Sequence, residues 1–312
     1  MPSLSMPPSP TELGVRTTAQ LIHDGFTAGR IERLVRAGAL VRIWRGHYVA
    51  TSIWSKLSPS HRQTARLACA QGSSIAGSRV LCRQSAALAH GVSLLHVDEA
   101  VHVLCPTTRS NEVRHPGLRF HVADDGYDVV LLPNGLRVTS ATRTFMDCAR
   151  HLPHHEALVI ADQMAATGLD LAPMTSWAVH HTGWRGVARL RQVLEFVDPL
   201  AESPGETLTR IRLIEWEVPL PVSQHRVMTP RGLFRADFAW PERRLILEFD
   251  GRVKYFGDVP TAEVLFQERQ RENALRELGW RVLRTNWAEI TRHPETLRTR
   301  LAVALVAGAR SA

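Results

Sequence analysis

Apolar positions along the chain change period several times, and the order of those changes predicts the elements. Residues 17–23 predict a short helix, 24–26 a turn, and Thr27 an N-cap for a second helix over 28–37. In that second helix Ile31, Leu34 and Val35 fall at i, i+3 and i+4, which makes one buried face. Gly38 ends it, and 40–49 alternates as two short strands turning at Arg45-Gly46. Further on, 61–71 and 83–91 predict helices, while 100–106, 118–122 and 136–138 alternate as strands. The stretch 139–150 opens with capping residues and continues as a helix, with Arg143 and Asp147 at the i, i+4 spacing of a structural ion pair worth a few tenths of a kcal/mol on a helix surface.

A break at 198–205 opens the last segment. Ser203 caps a predicted helix over 204–217 with Pro204 at its first position. Strands follow at 222–228, 234–240 and 245–250, with a turn at 229–232 and a tight connection at 241–244. A helix over 261–278, a strand at 280–284 and a terminal helix from Pro294 complete the pattern. The fold class expected is therefore α+β and multidomain, with an α/β middle domain and a mixed sheet in the C-terminal domain. The boundaries expected are a disordered arm at 1–15 and domains at 16–58, 59–198 and 199–312, since 312 residues exceed one usual hydrophobic core.

No apolar run approaches 18 residues, which excludes a membrane span, and the proline-rich start lacks the basic and apolar regions of a signal peptide. A cytoplasmic protein is expected. Cys69, Cys82, Cys105 and Cys148 form no C-x-x-C pair and sit among apolar residues, so buried thiols are expected in place of disulfides or zinc.

The net charge of +8 divides unevenly, +6 over 1–100, −1 over 101–200 and +3 over 201–312. Such asymmetry points to polyanion-facing modules around a neutral scaffold. Arg30, Arg33 and Arg36 recur every third residue on the second helix, away from its apolar face. Helix, turn, basic helix and ribbon is the order of a winged helix-turn-helix. The second helix would then enter the major groove, and Arg42, Arg45 and His47 on the wing would meet phosphate or the minor groove. The run from Gly14-Val-Arg-Thr-Thr through Arg45-Gly-His-Tyr-Val49 resembles the N-terminal winged helix of the AbiEi family, antitoxins of type IV toxin–antitoxin systems. The segments Ser85-Ala-Ala-Leu-Ala-His-Gly91 and Arg143-Thr-Phe-Met-Asp147 resemble that family's following domain. The resemblance implies operator DNA as a partner, with a cognate toxin or self-association beside it.

His151, His154, His155 and Glu156 invite a metal reading, but the spacing matches no zincin helix and Pro153 interrupts it, so a solvated interhelical turn is expected. His180 and His181 receive the same reading.

The carboxylates of the last segment carry more. Asp237 lies on one predicted strand, and Glu248 and Asp250 lie two apart on one face of the next. Two carboxylates at about 4 Å and an effective dielectric near 20 repel by about 4 kcal/mol, so such a patch requires a cation or a shared proton. Magnesium, or manganese, suits oxygen ligands supplemented by water and phosphate. Pairing with Arg235 or Arg244 is the structural alternative.

The blocks Ser203-Pro-Gly-Glu206, Arg235-Ala-Asp-Phe-Ala-Trp-Pro241 and Leu247-Glu-Phe-Asp-Gly-Arg-Val-Lys-Tyr255, with 268–284 after them, resemble the PD-(D/E)XK nuclease superfamily, in its very-short-patch-repair-like branch. The resemblance implies a restriction-endonuclease-like α/β/α domain. Asp237 and Glu248 would be Mg²⁺ or Mn²⁺ ligands, Asp250 an additional acid and metal ligand, and Glu206 the supporting helical acid. The basic residue expected two after Glu248 is replaced by Asp250. Lys254 is then a displaced substitute, one of only two lysines beside 36 arginines, and lysine can be tuned by burial where arginine cannot. Arg269 and Arg271 would hold phosphate. Two functions stay open: a metal-dependent DNA endonuclease, in phage defence, and a non-catalytic AbiEi-like repressor with a degenerate nuclease domain.

Overall fold

A computed structural model describes residues 7–71, 79–105, 117–123, 126, 128–251 and 262–308. The chain is mixed α/β with several sheets and divides between Val197 and Asp198 into two compact units.

The N-terminal unit opens with β1 (Arg16–Thr17), α1 (Thr18–His23), α2 (Ala28–Arg36), β2 (Leu40–Trp44) and β3 (His47–Ala50). The strands form a three-stranded antiparallel sheet in the order β1-β3-β2. Thr17 and Thr27 cap the two helices with their side chains, Thr17 as one half of a capping box with Gln20. Then come α3 (Thr51–Trp54), α4 (Pro59–Gln71), α5 (Arg83–Ala89), a parallel pair β4 (Val101–Cys105) and β5 (Leu118–Val122), and an antiparallel pair β6 (Val129–Leu131) and β7 (Arg137–Thr139). Four helices close the unit: α6 (Ala141–His151), α7 (His154–Ala166), α8 (Ala172–His180) and α9 (Val187–Phe196).

Several expectations change here. Leu13 and Val15, inside the segment expected to be a disordered arm, are buried in the same cluster as Trp44, Val49, Leu67, Leu81 and Val101. That one cluster also joins the two stretches expected as separate domains at 16–58 and 59–198, because the ribbon strands use α4 and β4 to cover their apolar face. The interhelical turn expected at 151–155 is only Leu152-Pro153, since His154 already opens α7. His181 is stacked on Trp177 with ring centroids 4.1 Å apart and meets Trp184 edge-on, so it is packed where a solvated turn was expected. Arg143 and Asp147 pair at 2.9 Å as their spacing predicts, but both are buried. All four cysteines are buried thiols. Among the described residues no helix is long and apolar enough to cross a membrane.

The C-terminal unit runs α10 (Pro204–Glu215), β8 (Val222–Thr229), β9 (Gly232–Trp240), a 3-10 turn (Pro241–Arg243), β10 (Leu245–Asp250), α11 (Ala262–Glu277), β11 (Arg281–Asn286), α12 (Trp287–Arg292) and α13 (Pro294–Gly308). The sheet order is β11-β10-β9-β8, with β10 and β11 parallel and the other pairs antiparallel, so the sheet is mixed. Phe238, Trp240, Leu245 and Leu247 pack with Leu213 of α10 and Leu297 and Leu301 of α13. Ala239 and Ile246 pack with Leu275 of α11. Burial on both faces explains why 245–247 is an unbroken apolar run in place of an alternation.

Candidate functional site

Asp237 and Glu248 meet where the β9–β10 ladder ends. The main-chain pairing runs from Leu245 opposite Trp240 to Leu247 opposite Phe238. At the next step the side chains take over: Phe249 N–H donates to Asp237 Oδ2 at 2.8 Å, and Asp237 N–H donates to Glu248 Oε1 at 3.4 Å. Each strand thus offers a carboxylate to the other strand's backbone, which aims both side chains and leaves oxygen lone pairs over. On the far side of β9, the β8 register holds a constant offset from Val222 opposite Ala239 to Thr229 opposite Gly232, and only the step between Gln224 and Asp237 is missing. Gln224 has φ +51°, a left-handed backbone rare for a non-glycine strand residue.

The third acid arrives on a helix. Ser203 accepts from the Glu206 N–H at 3.2 Å and caps α10, while its hydroxyl donates to Glu206 Oε1 at 2.7 Å. Glu206 Oε2 accepts from Glu202 N–H at 3.0 Å and from Gln224 Nε2 at 2.9 Å. Gly205 lets this helix end approach the sheet. A Cβ on it would stand 1.9 Å from Phe249 Cε1, and Phe249 also packs edge-on with Trp287, with centroids 5.4 Å apart.

Burial raises all three acids. Asp237 is pushed up to about 6, first by burial and then by the charges of Glu206 and Glu202. Glu248 is pushed up to about 8, first by burial and then by Asp237. Glu206 is raised chiefly by burial, against its three hydrogen bonds. Asp237 therefore ionises first, because the well-formed bond from Phe249 N–H favours its anion, and that anion helps hold the proton on Glu248. Two carboxylates aimed from neighbouring strands fit a hard divalent ion that completes its shell with water and phosphate oxygen.

The other expected site residues are distributed as follows. Asp250 stands at the exposed end of β10 opposite Asn286. Among the described residues no group of three or more His, Cys, Asp or Glu side chains gathers at metal-ligand spacing, so Asp250 does not complete a three-acid cluster with Asp237 and Glu248. Two residues of strand rise, about 7 Å, separate it from Glu248, and that is the physical reason. Lys254 lies outside the described residues. Arg235 pairs with Glu202 at 2.5 Å and reaches Asp237 through its charge, which opposes the rise of that pKa, while Arg244 donates to the Leu278 carbonyl at 2.6 Å. Arg284 stands beside Glu248 in register and opposes the rise of its pKa. Arg269 and Arg271 are exposed on α11. Gln224 was invisible to sequence reasoning, because a polar residue in an alternating strand carries no sign of a left-handed backbone.

In the N-terminal unit Ile31 is the buried residue of α2, and Arg30, Arg33 and Arg36 are exposed on its other side. Arg30 lies over the Phe26 ring at 4.5 Å, and Arg36 approaches Glu32 at 3.6 Å. Arg42 and Arg45 are exposed on the ribbon, with His47 half-buried and its Nδ1 3.0 Å from the Arg45 carbonyl.

No family model matches the chain. Two curated proteins from strains of Mycobacterium tuberculosis, each described as an uncharacterized protein, are 29% identical to it over 279 residues, which is 89% of this chain and 96% of theirs. That stretch is longer than either unit, so the similarity extends over both.

Proposed function

We propose that this is a DNA-binding protein whose C-terminal unit, a restriction-endonuclease-like α/β/α fold, hydrolyses phosphodiester bonds with a divalent ion. The observation that carries the reading is the end of the β9–β10 ladder, where Asp237 and Glu248 are half-buried together and each is aimed by the opposite strand's N–H. An acid pair of this kind is costly in a fold that uses it only for structure. Asp237 and Glu248 would hold Mg²⁺ or Mn²⁺, and the chemistry supplied by a bound ion there is activation of water and polarisation of the phosphate. Glu206, clamped by Ser203, Glu202 and Gln224, adds negative potential beside the pair and keeps the helix end in place. The exposed arginines of α2 and the ribbon support a winged helix-turn-helix that meets DNA, in the manner of AbiEi-like proteins.

Supercoiled DNA incubated with the purified chain in Mg²⁺ or Mn²⁺ tests the reading. Nicking is expected, with a loss of at least about a hundredfold in Asp237→Asn and in Glu248→Gln, since each removes a ligand charge. Nicking that survives both substitutions removes the site.

A second reading, a non-catalytic AbiEi-like repressor acting with a cognate toxin or by self-association, is favoured by Asp250. It stands where the superfamily carries its basic residue and puts a second acid on the strand in its place. DNA binding without cleavage under any metal supports that reading.

A further inference from the structure

A second charged site lies in the N-terminal unit, and its sign is opposite. The end of α6, the loop before α9, the start of α5 and strand β5 enclose a cavity of about 510 Å³, lined by Arg83, His121, Arg150, His151, Arg185 and Arg189, with Gly186 and Ala188 between the last two. No Asp or Glu is among the described residues lining it. We infer that this cavity binds a phosphorylated small molecule of nucleotide size through its oligophosphate group.

Construction supports the assignment. Arg150 is 1% exposed, donates through Nε to the Arg185 carbonyl at 3.1 Å, and has its guanidinium 4.9 Å above the Trp177 ring. Gly186 has φ +81°, and a Cβ on it would stand 2.4 Å from the Arg150 carbonyl oxygen. Only glycine lets the loop close on α6, and that closure carries Arg185 and Arg189 to the rim. Gly186 is also the N-cap of α9, a ten-residue helix whose first turn holds no acid and whose start has no side-chain cap. Its N-terminal end, Gly186 to Arg189, lines the cavity, so the helix dipole adds to a positive field in place of being offset by a carboxylate. His121 is held at Nε2 3.0 Å from His102 Nδ1, whose Nε2 is in turn 3.0 Å from Asp98 Oδ2. Burial first, and then the charges of Arg83, His102, His151 and Arg119, pull His121 down to about 3. Arg83 adopts φ +51°, a strained backbone placed at the cavity wall.

The occupant follows from size and chemistry. The exposed guanidinium forks of Arg185 and Arg189 can each pair two oxygens of a polyphosphate, and the charges of Arg83 and Arg150 in the wall behind them add to the attraction. A cavity of this volume is in the range of small-molecule sites and exceeds what a lone phosphate fills. A duplex is the poorer match, because Arg83, Arg185 and Arg189 line a cavity with the buried Arg150 in its wall and not a flat or ridged face.

The test uses the full chain with ATP, inorganic triphosphate and adenosine as probes in titration calorimetry, and compares Arg185→Glu/Arg189→Glu, both exposed positions whose change leaves the core intact. Saturable binding of ATP and of triphosphate is expected, with none of adenosine. In the double variant the affinity is expected to fall at least tenfold while its melting curve stays that of the parent. ATP binding much tighter than triphosphate identifies a nucleotide, and equal binding identifies the oligophosphate alone; both support the site. Absence of saturable binding, binding unchanged in the variant, or displacement of ATP by a DNA duplex overturns it. None of these outcomes depends on whether the C-terminal unit cleaves DNA.

Discussion

At Glu248 the raised pKa fixes how stability depends on pH. In the unfolded chain this carboxyl titrates near 4.3, and in the folded unit it is pushed up to about 8. Between those values the native state holds a proton that the unfolded state has released, so this group's contribution to stability is full below about pH 4 and is lost as pH rises through about 8. Glu248→Gln is neutral in both states and removes that slope. Melts are expected to show the variant more stable than the parent at pH 8 by on the order of 1 kcal/mol or more, with the difference vanishing near pH 4. A variant that melts lower than the parent at pH 8 contradicts the assignment. The positions of Asp237 and Glu248 were legible in the sequence, because strand alternation and a short connection place them opposite each other. The main-chain bonds that orient them were not, because they exist only where the ladder stops. Arg143 and Asp147 show the same division: the i, i+4 spacing announces the pair, and burial, which changes its energetics from those of a surface pair, is decided by what packs over it.

Among elements, the seating of α10 on β10 is the contact that assembles the acid site. Gly205→Ala places a methyl carbon 1.9 Å from the Phe249 ring, which also packs edge-on with Trp287, so a shift of the ring disturbs that contact as well. Overpacking of this kind costs about 1–3 kcal/mol. Chemical denaturation is expected to show that loss, and nicking is expected to fall as Glu206 moves with the helix end. Unchanged stability and activity together would mean that the helix end slides freely. Helices with a capping residue and a strong terminator, such as α2 between Thr27 and Gly38 and α10 after Ser203, were read nearly to their ends. The helix α12 was missed because β11 passes into it with no loop at all, Asn286 being both the last strand residue and the N-cap.

For the whole molecule, charge distribution is the property that reaches furthest. The N-terminal hundred residues hold +6 of the net +8, and Arg33 and Arg45 are exposed there on helix and ribbon. If they neutralise phosphates, duplex binding weakens steeply with salt, and each arginine lost lowers the salt slope by about 1. Arg33→Ala and Arg45→Ala are expected to do so in binding titrations from 50 to 200 mM salt. Salt-insensitive binding, or none, makes the module an interface for a protein partner. Composition and periodicity by themselves determined the mixed α/β class, the succession of strands and helices in the C-terminal unit apart from α12, and the placing of Asp237 and Glu248 on neighbouring strands, since each follows from spacing along one chain. Tertiary structure alone decided that Leu13 and Val15 are core, that one cluster joins the ribbon to the helices after it, that Gln224 turns left-handed to reach Glu206, and that arginines from 83, 150, 185 and 189 line one cavity. Most of those neighbours come from segments far apart along the chain with no shared period, and only the folding of the chain on itself brings the segments together.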